Sequence, residues 1–310
     1  MTPIALYLLM FVASLAALLW ASDRFVDAAE KIGLSLGISP FIIGVTIIAF
    51  GTSLPELASS IAAVFVGESE IVVGNVVGSN ITNILLVLGL VAIVSKSVKL
   101  NFRVMDIDIP LLVGSAFLLW FILQDQKVSV IEALLLLVGL VIFLINTFKG
   151  EDNEEKSERT KADWKQYVFL VLGAGLVYLG ATYTIVAIQQ ISTILQISSE
   201  VIALSLVALG TSLPEVVVSV TAAAKKKSAI AVGNVLGSNI FNTYAVMGIP
   251  ALMGDLKIPD NILTFSLPFM VAITVLFGII CVSNKISRWE GVMLVLFYCY
   301  FFIELVKEVM

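Results

Sequence analysis

The chain has 310 residues, a formal net charge of −5 and 59% hydrophobic residues, with a mean hydropathy of +1.06. This composition excludes an ordinary soluble globular protein, because the apolar residues form runs of about 18–27, long enough for a ~30 Å hydrocarbon core. There is no histidine, so a metal site would need oxygen ligands, which suit hard cations. The two cysteines, Cys281 and Cys299, lie in apolar runs and are expected to pack rather than to form a disulfide framework.

Ten apolar segments predict an all-α polytopic membrane protein. The predicted spans are 4–22, 40–66, 71–95, 105–123, 128–148, 166–190, 199–224, 229–253, 262–282 and 289–306. The first has no basic region before it, which favours a retained transmembrane helix over a cleaved signal. The stretch 149–165 is highly charged and is predicted to be a solvated linker.

The basic residues predict the orientation of these spans. Of the 18 basic residues, 15 lie on one set of alternating connections, and only Lys127, Lys257 and Lys307 lie on the opposite side. The positive-inside rule then places both termini outside the cell and the linker in the cytoplasm of a multi-pass plasma-membrane protein.

A six-residue motif divides the chain into two halves. G-T-S-L-P-E at 51–56 recurs at 210–215, and 22 of 42 residues are identical between 49–90 and 208–249. The predicted units are 1–148, with its motif region at about 40–95, and 166–310, with its motif region at about 199–253, joined by the linker 149–165. Five spans are an odd number, so the second half must enter the membrane upside down. Such inverted-topology repeats are typical of secondary transporters with a midplane site.

Each motif places a glutamate deep in an apolar run, where a charge is costly and typically functional. Pro55 cannot donate to the carbonyl of Gly51, and its ring clashes with that group. We therefore expect a helix broken at the midplane, with free carbonyls near 49–51; Pro214 and Gly210 repeat the pattern. A plain proline kink is the alternative interpretation.

The third span of each half supplies polar side chains at helical spacing. Asn75, Ser79 and Asn83 share one face, and Gly74 and Gly78 form a G-x-x-x-G motif that allows close helix approach. The second half repeats both features at Asn234, Ser238, Asn242, Gly233 and Gly237. Ligation is favoured over interhelical hydrogen bonding for Ser79, Asn83, Ser238 and Asn242. The two roles remain equally open for Asn75, Asn80, Asn234 and Asn239.

The remaining membrane-region acids are expected to be solvated near span ends; they are Asp106, Asp108, Glu132, Glu290 and Glu304. Only Glu56 and Glu215 are predicted to be deep. With the hydroxyls, amides and free carbonyls they would form an all-oxygen cage that offers the ~6–8 ligands Ca²⁺ prefers. Two carboxylates neutralise one divalent ion or hold two or three monovalent ions. A cage that binds either Ca²⁺ or Na⁺, but never both at once, is the physical basis of an antiporter.

The paired G-T-S-L-P-E and G-N-V-x-G-S-N-I-x-N segments resemble the two α-repeats of the calcium/cation antiporter superfamily. Within it, the whole chain resembles the small prokaryotic Na⁺/Ca²⁺ exchangers. The resemblance implies an eight-helix core, with the first and sixth spans sliding across it as a long, tilted pair. It also implies Na⁺ sites around one Ca²⁺ site, with ligands at Ala49, Thr52, Ser53, Glu56, Ser79, Asn83, Ala208, Thr211, Ser212, Glu215, Ser238 and Asn242.

The function implied is Na⁺/Ca²⁺ antiport by alternating access, without K⁺. With about three Na⁺ per Ca²⁺, exchange would be electrogenic, because the membrane potential acts on the net charge moved. Many prokaryotic relatives carry Asp where this chain has Asn242, and Asn weakens a K⁺-dependent interpretation. The short linker leaves no room for cytoplasmic calcium-sensing domains.

Two alternatives remain: an H⁺/Ca²⁺ exchanger of the same fold, which typically carries G-N-x-x-E instead of G-T-S-L-P-E, and a passive cation channel. No enzymatic activity is expected, because G-x-G-D, H-E-x-x-H and nucleophile–base patterns are missing from the sequence. The expected partners are Ca²⁺, Na⁺, competing H⁺ and the lipid bilayer. No cofactor, nucleic acid or obligatory protein partner is expected, and the chain is compatible with a monomer.

Overall fold

The computed structural model describes residues 3–100, 107–149, 162–194 and 212–309, and nearly all of them are helical, as predicted. The helices are α1 (Pro3–Ser35), α2 (Pro40–Ile43), α3 (Ala49–Phe65), α4 (Glu70–Thr82), α5 (Leu88–Ser95), α6 (Ile109–Ile122), α7 (Val130–Lys149), α8 (Trp164–Ile194), α9 (Leu213–Ala224), α10 (Ser228–Phe241), α11 (Met247–Met253), α12 (Leu267–Cys281) and α13 (Arg288–Val309). Turns of π-helix occupy Gly44–Ile48, Asn83–Val87, Asn242–Val246 and Ile262–Ser266, and a 3-10 turn occupies Leu123–Asp125.

Seven helical stretches of the described chain are long and apolar enough to cross a membrane, and the stretches Ile109–Asp125 and Leu213–Ala224 are shorter apolar helices. The protein is therefore multi-pass. The stretch from Ser228 to Met253 is helical throughout but is not among the seven. The predicted span 199–224 is described only from residue 212, and most of the linker lies outside the described residues.

Helix α1 is longer than predicted, because it continues from the apolar span through a charged segment to Ser35. It runs antiparallel to α8. A Cβ atom added at Gly180 of α8 would lie 3.0 Å from the Cα of Leu18, and Thr184 Oγ1 donates to Ser14 Oγ at 3.0 Å. Small residues therefore let these two long helices approach closely.

The second span of the first half is not broken where we expected. Helical structure continues from Pro40 to Phe65, and Pro55 lies inside α3. The prediction of a break near Ala49–Gly51 is wrong there. A continuous helix loses one hydrogen bond at proline, whereas a break would leave several backbone groups unpaired in apolar surroundings. In the second half α9 begins at Leu213, and the preceding residues 195–211 lie outside the described chain.

Gly51 lies where α3 packs so closely against α1 that a side chain has no room. A Cβ atom at Gly51 would lie 2.8 Å from the ring of Phe25 on α1. Its place in the motif therefore reflects close packing between α3 and α1, where we expected backbone freedom at a helix break.

The G-x-x-x-G prediction is confirmed for the second half. A Cβ at Gly237 would meet the backbone of Val45 and lie 2.7 Å from the Cβ of Ala49, and one at Gly233 would meet the backbone of Phe41. Helix α10 therefore lies directly against the segment that leads into α3. For Gly74 and Gly78, the described residues provide no comparably close neighbour.

A small antiparallel strand pair departs from the all-α prediction. Strands β1 (Ser97–Lys99) and β2 (Lys285–Ser287) pair Val98 with Ile286, and both side chains are fully buried. Alternating exposed and apolar residues suit such a strand pair. It joins the end of α5 to the start of α13.

Candidate cation site

The predicted site residues come from two helix pairs. Helix α3 carries Ala49, Thr52, Ser53 and Glu56, and the chain from α4 into its π turn carries Ser79 and Asn83. In the second half, Ser212 precedes α9, Glu215 lies in its first turn, and α10 leads through Ser238 to Asn242. All ten of these side chains are buried. Ala208 and Thr211 lie outside the described residues.

The two halves meet through Thr52. Its Oγ1 lies 3.3 Å from Asn234 Oδ1 and 3.5 Å from Ser238 Oγ, both on α10. The same hydroxyl lies 3.3 Å from the carbonyl oxygen of Ala49. A residue of the first motif therefore faces the third span of the second half, as expected for a shared site.

The two glutamates are brought together. Ser53 Oγ donates to Glu215 Oε1 at 3.2 Å, and Ser53 lies three residues before Glu56 on the same helix. The carboxyl groups of Glu56 and Glu215 are themselves close enough to interact. Each residue is only 1% exposed. Two acids from opposite halves thus share one buried location.

Several buried oxygens of the predicted site residues have no hydrogen-bond partner among the described residues. They are both carboxylate oxygens of Glu56, Oε2 of Glu215, Oγ of Ser212 and the Oδ1 atoms of Asn83 and Asn242. A buried polar atom without a partner costs about 1–3 kcal/mol, so native proteins rarely contain a cluster of them. A hard cation held by oxygen ligands would compensate this group.

The sequence left two roles open for the other four asparagines, ion ligation and hydrogen bonding between helices, and the structure shows the hydrogen bonds of each. Asn75 Nδ2 donates to Ser60 Oγ at 3.1 Å, and its counterpart Asn234 Nδ2 donates to Ser219 Oγ at 2.8 Å. Asn80 Nδ2 donates to Thr243 Oγ1 at 3.0 Å. These three amides hold helices together. Asn239 Nδ2 instead donates to the carbonyl of Val235, one turn back on its own helix, at 2.6 Å.

Both Asn83 and Asn242 stand at the first position of a π-helical turn. A π turn inserts one residue into the helix and rotates the side chains that follow, and such turns occur frequently at functional sites. The sequence did not reveal these turns, because an inserted residue leaves the apolar composition unchanged.

One buried acid was missed. Asp108 is 1% exposed and immediately precedes α6, so the expectation that it is solvated at a span end is wrong. It does not belong to the predicted site residues. The charged Asp106 lies outside the described residues.

A cavity of about 790 Å³ extends towards the site between α3, α4 and α8. Its lining includes Pro55, Asn75, Thr182, Gln189 and Pro214. Because both motif prolines contribute to the wall, the cavity reaches the neighbourhood of the two glutamates.

The family model described as sodium/calcium exchanger protein matches residues 6–149 and 165–306. The chain belongs to this family. The family therefore accounts for both halves and confirms the resemblance seen in the repeated segments. Among curated relatives, the sodium/calcium exchanger MaX1 of Methanosarcina acetivorans is 35% identical, with 96% of this chain and 97% of that protein covered. The inner membrane protein YrbG of Escherichia coli is 30% identical, with 91% of each chain covered.

The exchanger family is also represented among solved structures. The sodium-calcium exchanger NCX_Mj, soaked with Na⁺ and Sr²⁺, aligns with a TM-score of 0.84 at 31% identity, covering 96% of this chain and 97% of that one. The helical arrangement described above is therefore that of a known exchanger fold.

Proposed function

We propose that this protein is a secondary active antiporter that exchanges Na⁺ for Ca²⁺ across the membrane. The observation that carries the proposal is the buried pair Glu56 and Glu215, one from each half, whose carboxylates include three oxygens without partners among the described residues. Two carboxylates balance one Ca²⁺, and the same cage can hold several Na⁺. The names of the related exchangers support this choice of ions.

The proposed architecture has ten spans in two inverted halves, 1–148 and 166–310, joined by a cytoplasmic linker at 149–165. Both termini lie outside the cell, and the membrane is the plasma membrane. The ligands come from the carboxylates, hydroxyls, amides and carbonyls of the two halves. The proposed ligands are Ala49, Thr52, Ser53, Glu56, Ser79, Asn83, Ala208, Thr211, Ser212, Glu215, Ser238 and Asn242.

The proposed exchange is independent of K⁺ and moves net charge. About three Na⁺ against two carboxylates leave one positive charge, whereas one Ca²⁺ leaves none, so a potential of 100 mV would bias transport by ~2.3 kcal/mol per charge. If clamping the potential with valinomycin and K⁺ changed neither rate nor endpoint, the exchange would be electroneutral.

The deciding experiment is Ca²⁺ uptake into proteoliposomes driven by an outward Na⁺ gradient. Glu56→Gln and Glu215→Gln should each nearly abolish uptake, because one remaining carboxylate cannot balance a divalent ion. Glu68→Gln provides a matched control, since Glu68 is an exposed acid of the first half. Uptake driven equally well by a proton gradient without Na⁺ would favour H⁺/Ca²⁺ exchange. Uptake that needs no counter-ion on the far side would indicate a channel.

A further inference from the structure

A cluster of charges links α1 to the turn between α9 and α10. Lys225 Nζ lies 2.6 Å from Asp23 Oδ1 and 2.8 Å from Asp27 Oδ2. Lys227 Nζ lies 2.5 Å from Asp27 Oδ1 and 2.8 Å from Glu30 Oε2. The acids are spaced four and three residues apart and therefore share one face of α1. Five charged groups thus form one continuous network.

The network is more than a surface ion pair. The two lysine side chains are only 24% and 18% exposed, and Lys225 Nζ also donates to the backbone oxygen of Asp23 at 3.1 Å. Burial lowers the pKa of Lys227, but its hydrogen bonds and charge interactions with Asp27 and Glu30 raise it overall. Partly buried networks of this kind keep more of their interaction energy than isolated exposed pairs.

The turn that holds these lysines has an unusual backbone. Lys226 has a φ of +63°, a left-handed conformation that is costly for a residue with a side chain. The corresponding position in the first half, 159 residues earlier, is Gly67, with a φ of +81°. The same turn therefore ends both helices, but the second half builds it from three consecutive lysines.

The corresponding place in the first half is open. Adding 159 maps the three acids of α1 onto Thr182, Val186 and Gln189 of α8, which carry no charge. All three line the 790 Å³ cavity beside α3. One junction is thus closed by ion pairs, and the equivalent junction in the other half is open.

From this contrast we propose that Lys225 and Lys227, with Asp23, Asp27 and Glu30, form an ionic latch. The latch closes a second route to the cation site, at the junction of α1 with α9, equivalent to the open cavity of the first half. The proposal rests on the proposed antiport, since alternating access requires each route to close in turn. The latch binds α1 to the C-terminal end of α9, whose first turn carries Glu215. Lys225 and Glu215 are therefore about 15 Å apart along the helix, at 1.5 Å per residue. It must open before cations can leave by that route.

Cysteine labelling can test the latch in the full-length protein. In a background with Cys281→Ala and Cys299→Ser, Ala58→Cys reports on the open cavity, which Ala58 lines. Val217→Cys is its repeat counterpart, and Val217 is buried at 8% exposure. A water-soluble maleimide should therefore label position 58 quickly and position 217 slowly.

Opening the latch with Lys225→Gln and Lys227→Gln should change the two reporters in opposite directions. We expect labelling at position 217 to rise by roughly three- to tenfold, the effect of losing a few half-buried ion pairs, and labelling at position 58 to fall. Lys226→Gln is the matched control, because Lys226 is exposed and lies between the two. Replacing both lysines by arginine should restore the original pattern.

Equal labelling at position 217 in the double variant and in the Lys226→Gln control would overturn the latch. If labelling became faster at both positions in the double variant and also in Asp27→Asn, the charges would only stabilise the fold, and the proposal would again fail. The labelling needs no Ca²⁺ flux. A protein that shows the reciprocal change but does not exchange Na⁺ for Ca²⁺ would contradict the proposed function and leave the latch standing.

Discussion

The junction of α1 with α9 and the junction of α8 with α3 occupy equivalent places in the duplicated sequence, yet they differ in chemistry. Asp27 of the first junction pairs with two lysines, whereas Val186 of the second faces a cavity. Duplication produces two similar routes to the site, and later sequence divergence changes the residues that close each one. Here ion pairs close one route, and the other, which lacks these charges, is open.

The strongest test of this contrast is to block the open side. Ala58→Trp places a large ring in the cavity that Ala58 lines, so Na⁺-driven Ca²⁺ uptake should be almost completely lost. Val171→Trp is the control, because Val171 on α8 is 71% exposed elsewhere on the surface. Normal uptake by Ala58→Trp in proteoliposomes would show that ions do not pass through this cavity.

The next effect concerns packing against α1. The repeat counterpart of Phe25 is the smaller Thr184 on α8. Only α1 therefore places a large aromatic ring at this repeat position. Gly51→Ala should destabilise the protein by about 1–3 kcal/mol, because the new Cβ would overpack against Phe25. Thermal unfolding in detergent would measure the loss.

Gly114→Ala makes a matched control for that substitution, since nothing in the described chain lies within 4 Å of a Cβ at Gly114. Adding Phe25→Leu to Gly51→Ala should recover part of the lost stability. Equal melting temperatures for the two glycine variants would contradict the packing role of Gly51.

A smaller difference is expected between the motif serines. Ser53 donates to Glu215, whereas Ser212 Oγ has no partner within the described residues. Ser53→Ala should therefore lower Ca²⁺ affinity by roughly two- to tenfold, the value of one hydrogen bond of about 0.5–1.5 kcal/mol. Ser212→Ala should lower it more, because it removes a buried oxygen that is free to bind the cation. Calorimetric titration of Ca²⁺ would rank the two variants, and the reverse order would show that this asymmetry does not govern binding.

The smallest expected effect is on pH dependence. Asn242→Asp would add a third acid beside Glu56 and Glu215, and the three could not all ionise without a cation. Ca²⁺ binding should then release up to about one additional proton, giving a steeper fall of Ca²⁺ affinity on acidification. Asn242→Leu should reduce flux without steepening the profile. Superimposable pH profiles for the wild-type protein and the Asn242→Asp variant, together with a fully active Asn242→Leu variant, would show that Asn242 only joins helices.

The sequence predicted the membrane class, the duplication and the meeting of the two glutamates, because apolar runs and repeated motifs follow directly from composition and spacing. It failed on the length of α1. Charged residues from Asp23 onward end the apolar pattern, but the helix continues, and its acids form ion pairs with lysines 200 and 202 residues away. No local pattern contains that information.

The fate of Pro55 was also beyond local reasoning. Proline and glycine together predicted a break, yet α3 continues through both. The glycine instead leaves room for the ring of Phe25, and the π turn of this span lies earlier, at Gly44–Ile48. The same limit applies to the π turns at Asn83 and Asn242. The ion-ligating roles of the site residues remain predictions.

The strand pair β1–β2 has a consequence for how the protein is made. Its two strands are separated by most of the chain, since β1 ends at Lys99 and β2 begins at Lys285. During synthesis β1 therefore has no strand partner until residues 285–287 have been made. Pairings this distant in sequence form late. Closing the strand pair would thus fasten the end of α5, which is made early, to the start of α13, which is made much later.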